Sequence, residues 1–113
     1  MTEFRTANDL VYEVAGILGK AVAGESLDPV AYDTIDSAID PVLAEVSDIV
    51  VFGDRDELPT RYFQTLARLV AVHAASKFSN VPVDLNAVDQ HENRLRFLAA
   101  QAPSYEPLRA EYY

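Results

Sequence analysis

The chain has 113 residues, half of them hydrophobic, with no cysteine and a net charge of −9. That length suits one domain with a small core, and the lack of cysteine excludes disulfides, thiol chemistry and thiolate metal sites. The opening residues MTEFRTAND lack the apolar centre of a signal peptide and no run is long enough to span a membrane, so the sequence predicts a soluble, intracellularly made protein.

Charge is spread unevenly. Residues 1–60 hold 13 Asp and Glu against 3 Lys and Arg, whereas residues 61–113 hold 5 against 6. An acidic half repels phosphate backbones, which argues against DNA binding through a basic face. The asymmetry suits head-to-tail contacts between copies; it equally suits a solvated acidic face that keeps the protein soluble.

In chain order, Thr6 is placed to cap a first helix running to about Ala21, with Leu10, Val14, Ile17 and Leu18 on one face. Gly19 and Gly24 flank its end, and AGES makes a turn. Asp28-Pro29 starts a second helix, the acid capping free amides and the proline sitting where no amide partner is needed. Ile35, Ile39, Val42, Leu43 and Val46 form its apolar face, and Asp33, Asp36 and Asp40 form an acidic stripe on another side. Pro41 falls inside this helix, so either the helix kinks there or Asp40-Pro41 restarts it; a kink is expected, because the apolar face stays in register across it. Ile49, Val50, Val51 and Phe52 predict a short extended piece, and GDRDE an exposed loop.

Leu58-Pro59-Thr60 opens a third helix, about residues 59–79. Phe63, Leu66, Ala67, Val70, Ala74 and Phe78 recur at helical spacing, and Leu69 and Val72 widen the apolar surface. This helix is therefore expected at the centre, covered on more than one side. Residues 79–84 form a linker with Pro82. A fourth helix, about 84–101, is capped by Asp84 or Asn86 and buries Leu85, Val88, Leu95 and Leu98, with a polar break at His91 and Glu92. Pro103 ends it, and PSYEPLRAEYY is expected to be extended. The fold class is all-α: a bundle of about four helices over residues 1–102 with an extended tail, 103–113.

Few residues look like chemistry. His73 has Leu69, Val70, Ser76 and Lys77 at i±3 and i±4, so it lacks an orienting acid or further metal ligands on its own helix and reads as a core or boundary histidine. His91-Glu92 resembles the start of a zinc-protease motif, but Leu95 stands where the second histidine belongs. Asp54, Asp56 and Glu57 lack the ligand spacing of an EF-hand loop. There is no GxGxxG, GKS/GKT or GxSxG. No enzyme activity, metal or cofactor is expected. The tail differs: Tyr105, Pro107, Leu108, Arg109, Tyr112 and Tyr113 offer aromatic and basic anchors of the kind enriched at interfaces, and proline lowers the entropy lost on docking. Either the tail docks onto another protein subunit or it is a frayed end, as termini commonly are.

The helices NDLVYEVAGILG and DTIDSAIDPVLAEV, a loop, then LPTRYFQTLARLVAVHAASKFS resemble phage head-to-tail adaptor proteins. The likeness is to the tail accessory factor, or packaged-DNA-stabilisation protein, of short-tailed phages. It rests on Asp9-Leu10-Val11, Leu18-Gly19, Leu43-Ala44-Glu45, Pro59, Tyr62 and Leu66-Ala67, and covers roughly residues 8 to 80. Val46 stands where that family often has tryptophan, and Pro41 interrupts a helix usually unbroken. Connectors of long-tailed phages and gene-transfer agents share its size and helicity.

The resemblance implies a structural adaptor made in the bacterial host cytoplasm and located in the virion neck. It implies a ring, often dodecameric, beneath the portal protein. The ring extends the DNA channel, which DNA traverses without specific binding, and offers a docking surface to tail or stopper proteins; no membrane is involved. It also implies that the C-terminal segment grips the portal. The stripe Asp33, Asp36 and Asp40 is a candidate channel wall. Two other functions compete with this one: an acidic cytosolic interaction module or regulator, and a small metal-dependent hydrolase using His73 or His91.

Overall fold

The computed structural model describes residues 4–20 and 26–101. Their elements, in order, are β1 (Phe4–Arg5), α1 (Ala7–Ile17), α2 (Pro29–Glu45), β2 (Leu58–Pro59), α3 (Thr60–Ser79) and α4 (Leu85–Ala100). The fold is all-α, four helices with one minor two-stranded sheet, as the apolar spacing predicts.

Helix α1 begins with a capping box. The Thr6 hydroxyl accepts from the Asp9 amide at 3.1 Å, and the Asp9 carboxylate accepts from the Thr6 amide at 3.2 Å. These bonds, helped by Arg5, hold the Asp9 carboxyl below its ordinary pKa. The helix stops at Ile17, short of the expected Ala21, which lies outside the described residues. Gly19 takes φ +73°; its amide donates to the Gly16 carbonyl and the Lys20 amide to the Ala15 carbonyl. That paired bonding closes the helix, and it needs a residue tolerant of left-handed backbone. The buried face is Ala7, Leu10, Val11, Val14 and Ala15. Ile17, expected inside, is 45% exposed, because the stripe that faces α2 and α3 has turned past it. Leu18 is half-buried.

The Asp28 carboxylate accepts from the Ala31 amide at 3.1 Å and Pro29 occupies the first turn, so α2 starts as predicted. Ile35, Ile39, Val42 and Val46 are buried and Leu43 half-buried. The helix runs through Pro41 as one element rather than restarting at Asp40.

The expected extended piece at 49–52 is not a strand. Ile49 and Val50 donate back to the Val46 carbonyl in a turn, while Phe52 sets its ring edge-on to Tyr62, centroids 5.9 Å apart. The backbone ladder forms elsewhere: β1 and β2 pair antiparallel, Phe4 opposite Pro59 and Arg5 opposite Leu58. Pro59 is tolerated there because a two-stranded ribbon has only edges. Residues 58 and 59 thus belong to the ribbon, and the third helix opens at Thr60.

Helix α3 is the centre of the bundle. Tyr62, Phe63, Leu66, Ala67, Leu69, Val70, Ala71 and Ala74 are all buried, too wide an arc for one neighbour. Its three neighbours are α1, α2 and α4. Asn80, φ 60°, ends it in the left-handed conformation that asparagine tolerates. Helix α4 returns on α3 after a five-residue linker and makes its substantial contact with no other helix. Only Val88 and Leu95 are buried on it, with Leu98 half-buried. Leu85, expected inside, is 71% exposed at the first turn, beyond the stripe that faces α3.

Asp84 is the cap of α4, accepting from the Asn86 and Ala87 amides at 3.1 and 3.2 Å. Asp84→Ala is expected to cost about 1 kcal/mol. A thermal melt followed by circular dichroism checks it; an unchanged midpoint would show that the cap contributes nothing.

Candidate functional site

The loop read from sequence as plain solvated GDRDE is a staple. The Arg55 guanidinium reaches α2, where it pairs with Asp36 and with Asp40, the latter at 3.2 Å. One residue on, Asp56 Oδ1 accepts from the Ala7 amide at 3.1 Å, satisfying a free donor at the start of α1. The loop thus joins two helices by their polar sides. Asp54 serves the loop itself, accepting from the Asp56 amide at 2.9 Å.

The acidic stripe is placed as expected on the outside of α2, with Asp33 and Asp40 exposed and Asp36 half-buried. Sequence reasoning missed that one guanidinium offsets part of its charge. The signal was present: in residues 21–60 Arg55 is the lone base among ten acids. A lone cation in such surroundings settles where two carboxylates converge.

His73 is a boundary histidine, as read. Its Nε2 is buried without a hydrogen-bond partner and lies 3.8 Å from a carboxylate oxygen of Glu45, on the last turn of α2. Its acid was sought at i±3 and i±4 and comes from the neighbouring helix instead. Beside it, Ala38, Pro41, Val42, Lys77 and Val83 line a shallow, mainly apolar depression of about 170 Å³. Across α3, a second depression of about 210 Å³ lies between Val72, Ala75, Ser79 and the linker residues Val81 and Pro82. Both are smaller than a typical enclosed ligand site.

His91 lies on the side of α4 turned to α3, between Val88 and Leu95. Burial, then the positive charge of Arg68, push its pKa below the ordinary histidine value. The folded state therefore favours the neutral ring more than the unfolded chain does. Stability from this residue is complete above the unfolded pKa of about 6.5 and is lost as pH falls toward the lower folded value. Comparing urea midpoints of wild type and His91→Gln from pH 8 to 5 checks this: the wild type is expected to lose more on acidification. Equal slopes would refute it.

His73 and His91 are not brought to a shared site. Among the described residues, no group of three or more His, Cys, Asp or Glu is placed to hold a metal ion, and no helix is long and apolar enough to cross a membrane. The tail anchors Tyr105, Pro107, Leu108, Arg109, Tyr112 and Tyr113, with Pro103, lie outside the described residues.

Charge is distributed unevenly over the remaining surface. The outer face of α2 is acidic. The hairpin of α3 and α4 exposes Arg61, Arg68, Arg94 and Arg96. Arg61 lies 5.8 Å from the Tyr62 ring centroid and Arg94 5.2 Å from that of Phe97, a ring left 49% exposed. No family model, curated protein or solved structure matches the chain.

Proposed function

We propose that the chain is a structural subunit of a virion neck: a head-to-tail adaptor that stands in a ring below the portal, extends the DNA channel and presents a surface to tail proteins. The observation that carries this reading is where the resembling residues fall. Leu10 and Val11 of α1 and Tyr62, Leu66 and Ala67 of α3 are buried in one core. The two motifs are thus the facing halves of a single packed unit. Helix α2, which carries Leu43-Ala44-Glu45, closes that unit from the other side. The role is mechanical and requires no catalytic step.

Sedimentation of a native lysate of cells that carry the gene, with each fraction probed for this chain, tests the proposal. The expected result is co-migration with DNA-filled particles. Confinement to the slow soluble fraction, with particles present in the same gradient, would overturn it and favour the acidic interaction module.

A further inference from the structure

The described ion pairs use Arg5, with Asp9, and Arg55, with Asp36 and Asp40. Arg61, Arg68, Arg94 and Arg96 have no carboxylate partner within 4.0 Å among the described residues, although acids outnumber bases by 18 to 9 in the chain. Arg61 and Arg68 are seven residues apart, two turns of α3, and so share a face. Ala75 and Ser79, further along that face, line a depression with Asp84 and Ala87, which sets the face beside α4. Because α4 runs back along α3 from a short linker, Arg94 lies beyond His91, toward the end of the hairpin where Arg61 sits, whereas Arg96, about 200° further round the helix, projects from the opposite side of α4. Glu92, one turn before Arg96, is left out of any ion pair with it. Arg61, Arg68, Arg94 and the exposed Phe97 ring therefore lie along one flank of one hairpin.

The complementary surface lies on the far side of α3. His73 and Lys77 meet α2, at Glu45 and at Ser37 respectively. At about 100° per residue, positions 73 and 77 lie opposite positions 68 and 75, the side under α4. The acidic face of α2 and the arginine end thus cannot meet within one copy. The acidic face sets three carboxylates against one guanidinium, so it retains surplus negative charge.

We propose that the arginine end of the α3–α4 hairpin binds the acidic outer face of α2 on a second copy of this chain. The proposal specifies the contact between copies in the ring proposed above, and so rests on that reading. Arginine suits the task because its planar fork grips carboxylates in pairs, and Arg94 lies within cation–π range of Phe97. Each copy carries both surfaces, so the contact is head-to-tail and repeats from copy to copy; the rotation between copies decides whether it closes.

The test uses the full chain and sedimentation velocity across concentration, at low and at high salt. The wild type is expected to self-associate at low ionic strength and to dissociate as the Debye length shrinks from about 30 Å at 0.01 M to about 3 Å at 1 M. The double variants Arg61→Glu/Arg94→Glu and Asp33→Lys/Asp40→Lys are each expected to associate at least about tenfold more weakly. All four positions are exposed, and circular dichroism verifies that both variants fold. Mixing the two variants is expected to restore association, because each then supplies the charge the other lost. A mixture that stays apart would overturn the proposal, as would wild-type association unchanged in both variants. Capture of a DNA duplex by the arginine end, with no self-association, would overturn it in favour of a nucleic-acid surface. A wild type that stays monomeric yet travels with DNA-filled particles would overturn this contact and leave the neck reading intact.

Discussion

Phe63→Ala is expected to lower the stability of the fold by about 3–5 kcal/mol, with a fall in melting temperature of roughly 15 °C. Phe63 is 1% exposed, in the second turn of the helix that every other helix touches. Its truncation leaves a cavity in the core, and the cost of such a void adds to the lost transfer energy. A second loss follows. The Arg5 guanidinium lies 4.3 Å from the Phe63 ring centroid, so the same ring anchors β1 on the helix that β2 introduces. Urea and thermal unfolding followed by circular dichroism measure the effect. A cost below about 1.5 kcal/mol would mean that the site collapses freely, against the close packing described.

Pro41→Ala is expected to act in the opposite direction and stabilise the fold by about 2 kcal/mol. Proline in a helix interior costs about 3 kcal/mol relative to alanine, because it removes an amide donor and crowds the turn before it. Here the unserved acceptor is the Ser37 carbonyl, four residues back. Part of the gain is offset by roughly 0.4–1 kcal/mol, since alanine leaves the unfolded chain more freedom than proline does. The position tolerates the change: Pro41 is exposed at the rim of the depression beside His73, so the smaller side chain opens no cavity in the core. A measured destabilisation would show that the proline sets a bend in α2 on which the burial of Val42 and Val46 depends.

Helices were legible in the sequence because their signals are local. Asp28-Pro29 and Asp84 mark starts by side-chain chemistry within three residues, and the arc of apolar positions on α3 predicts a helix covered on several sides. Ile17 and Leu85 were misplaced for one shared reason: each sits at the angular edge of its helix's apolar stripe, outside the arc that the neighbouring helices cover. The run of β-branched residues at 49–52 was misread because strand propensity reports fitness for a pleated surface, and no partner strand lies there. The partner that exists, Phe4–Arg5, is too short to leave a pattern. The polar contacts were the least legible. Arg55 with Asp36, Asp56 with Ala7 and His73 with Glu45 join residues 19, 49 and 28 positions apart, which no local spacing encodes. The arginine end was likewise hidden, because a near-neutral second half averages over cations that folding gathers and anions that it leaves elsewhere.

Helix α4 touches one neighbour and buries only two side chains fully, whereas α1, α2 and α3 bury one another. Cooperative units of unequal depth open separately, the shallower at the lower free energy. Amide hydrogen exchange is therefore expected to resolve two tiers, with the amides of α4 exchanging through partial opening while those of α3 wait for global unfolding. Arg94 and Arg96 leave the surface whenever α4 opens, and Arg61 and Arg68 stay behind. Whatever binds Arg61, Arg68 and Arg94 together binds the closed form alone, and it must slow exchange in α4 by a factor that rises with its concentration over its Kd.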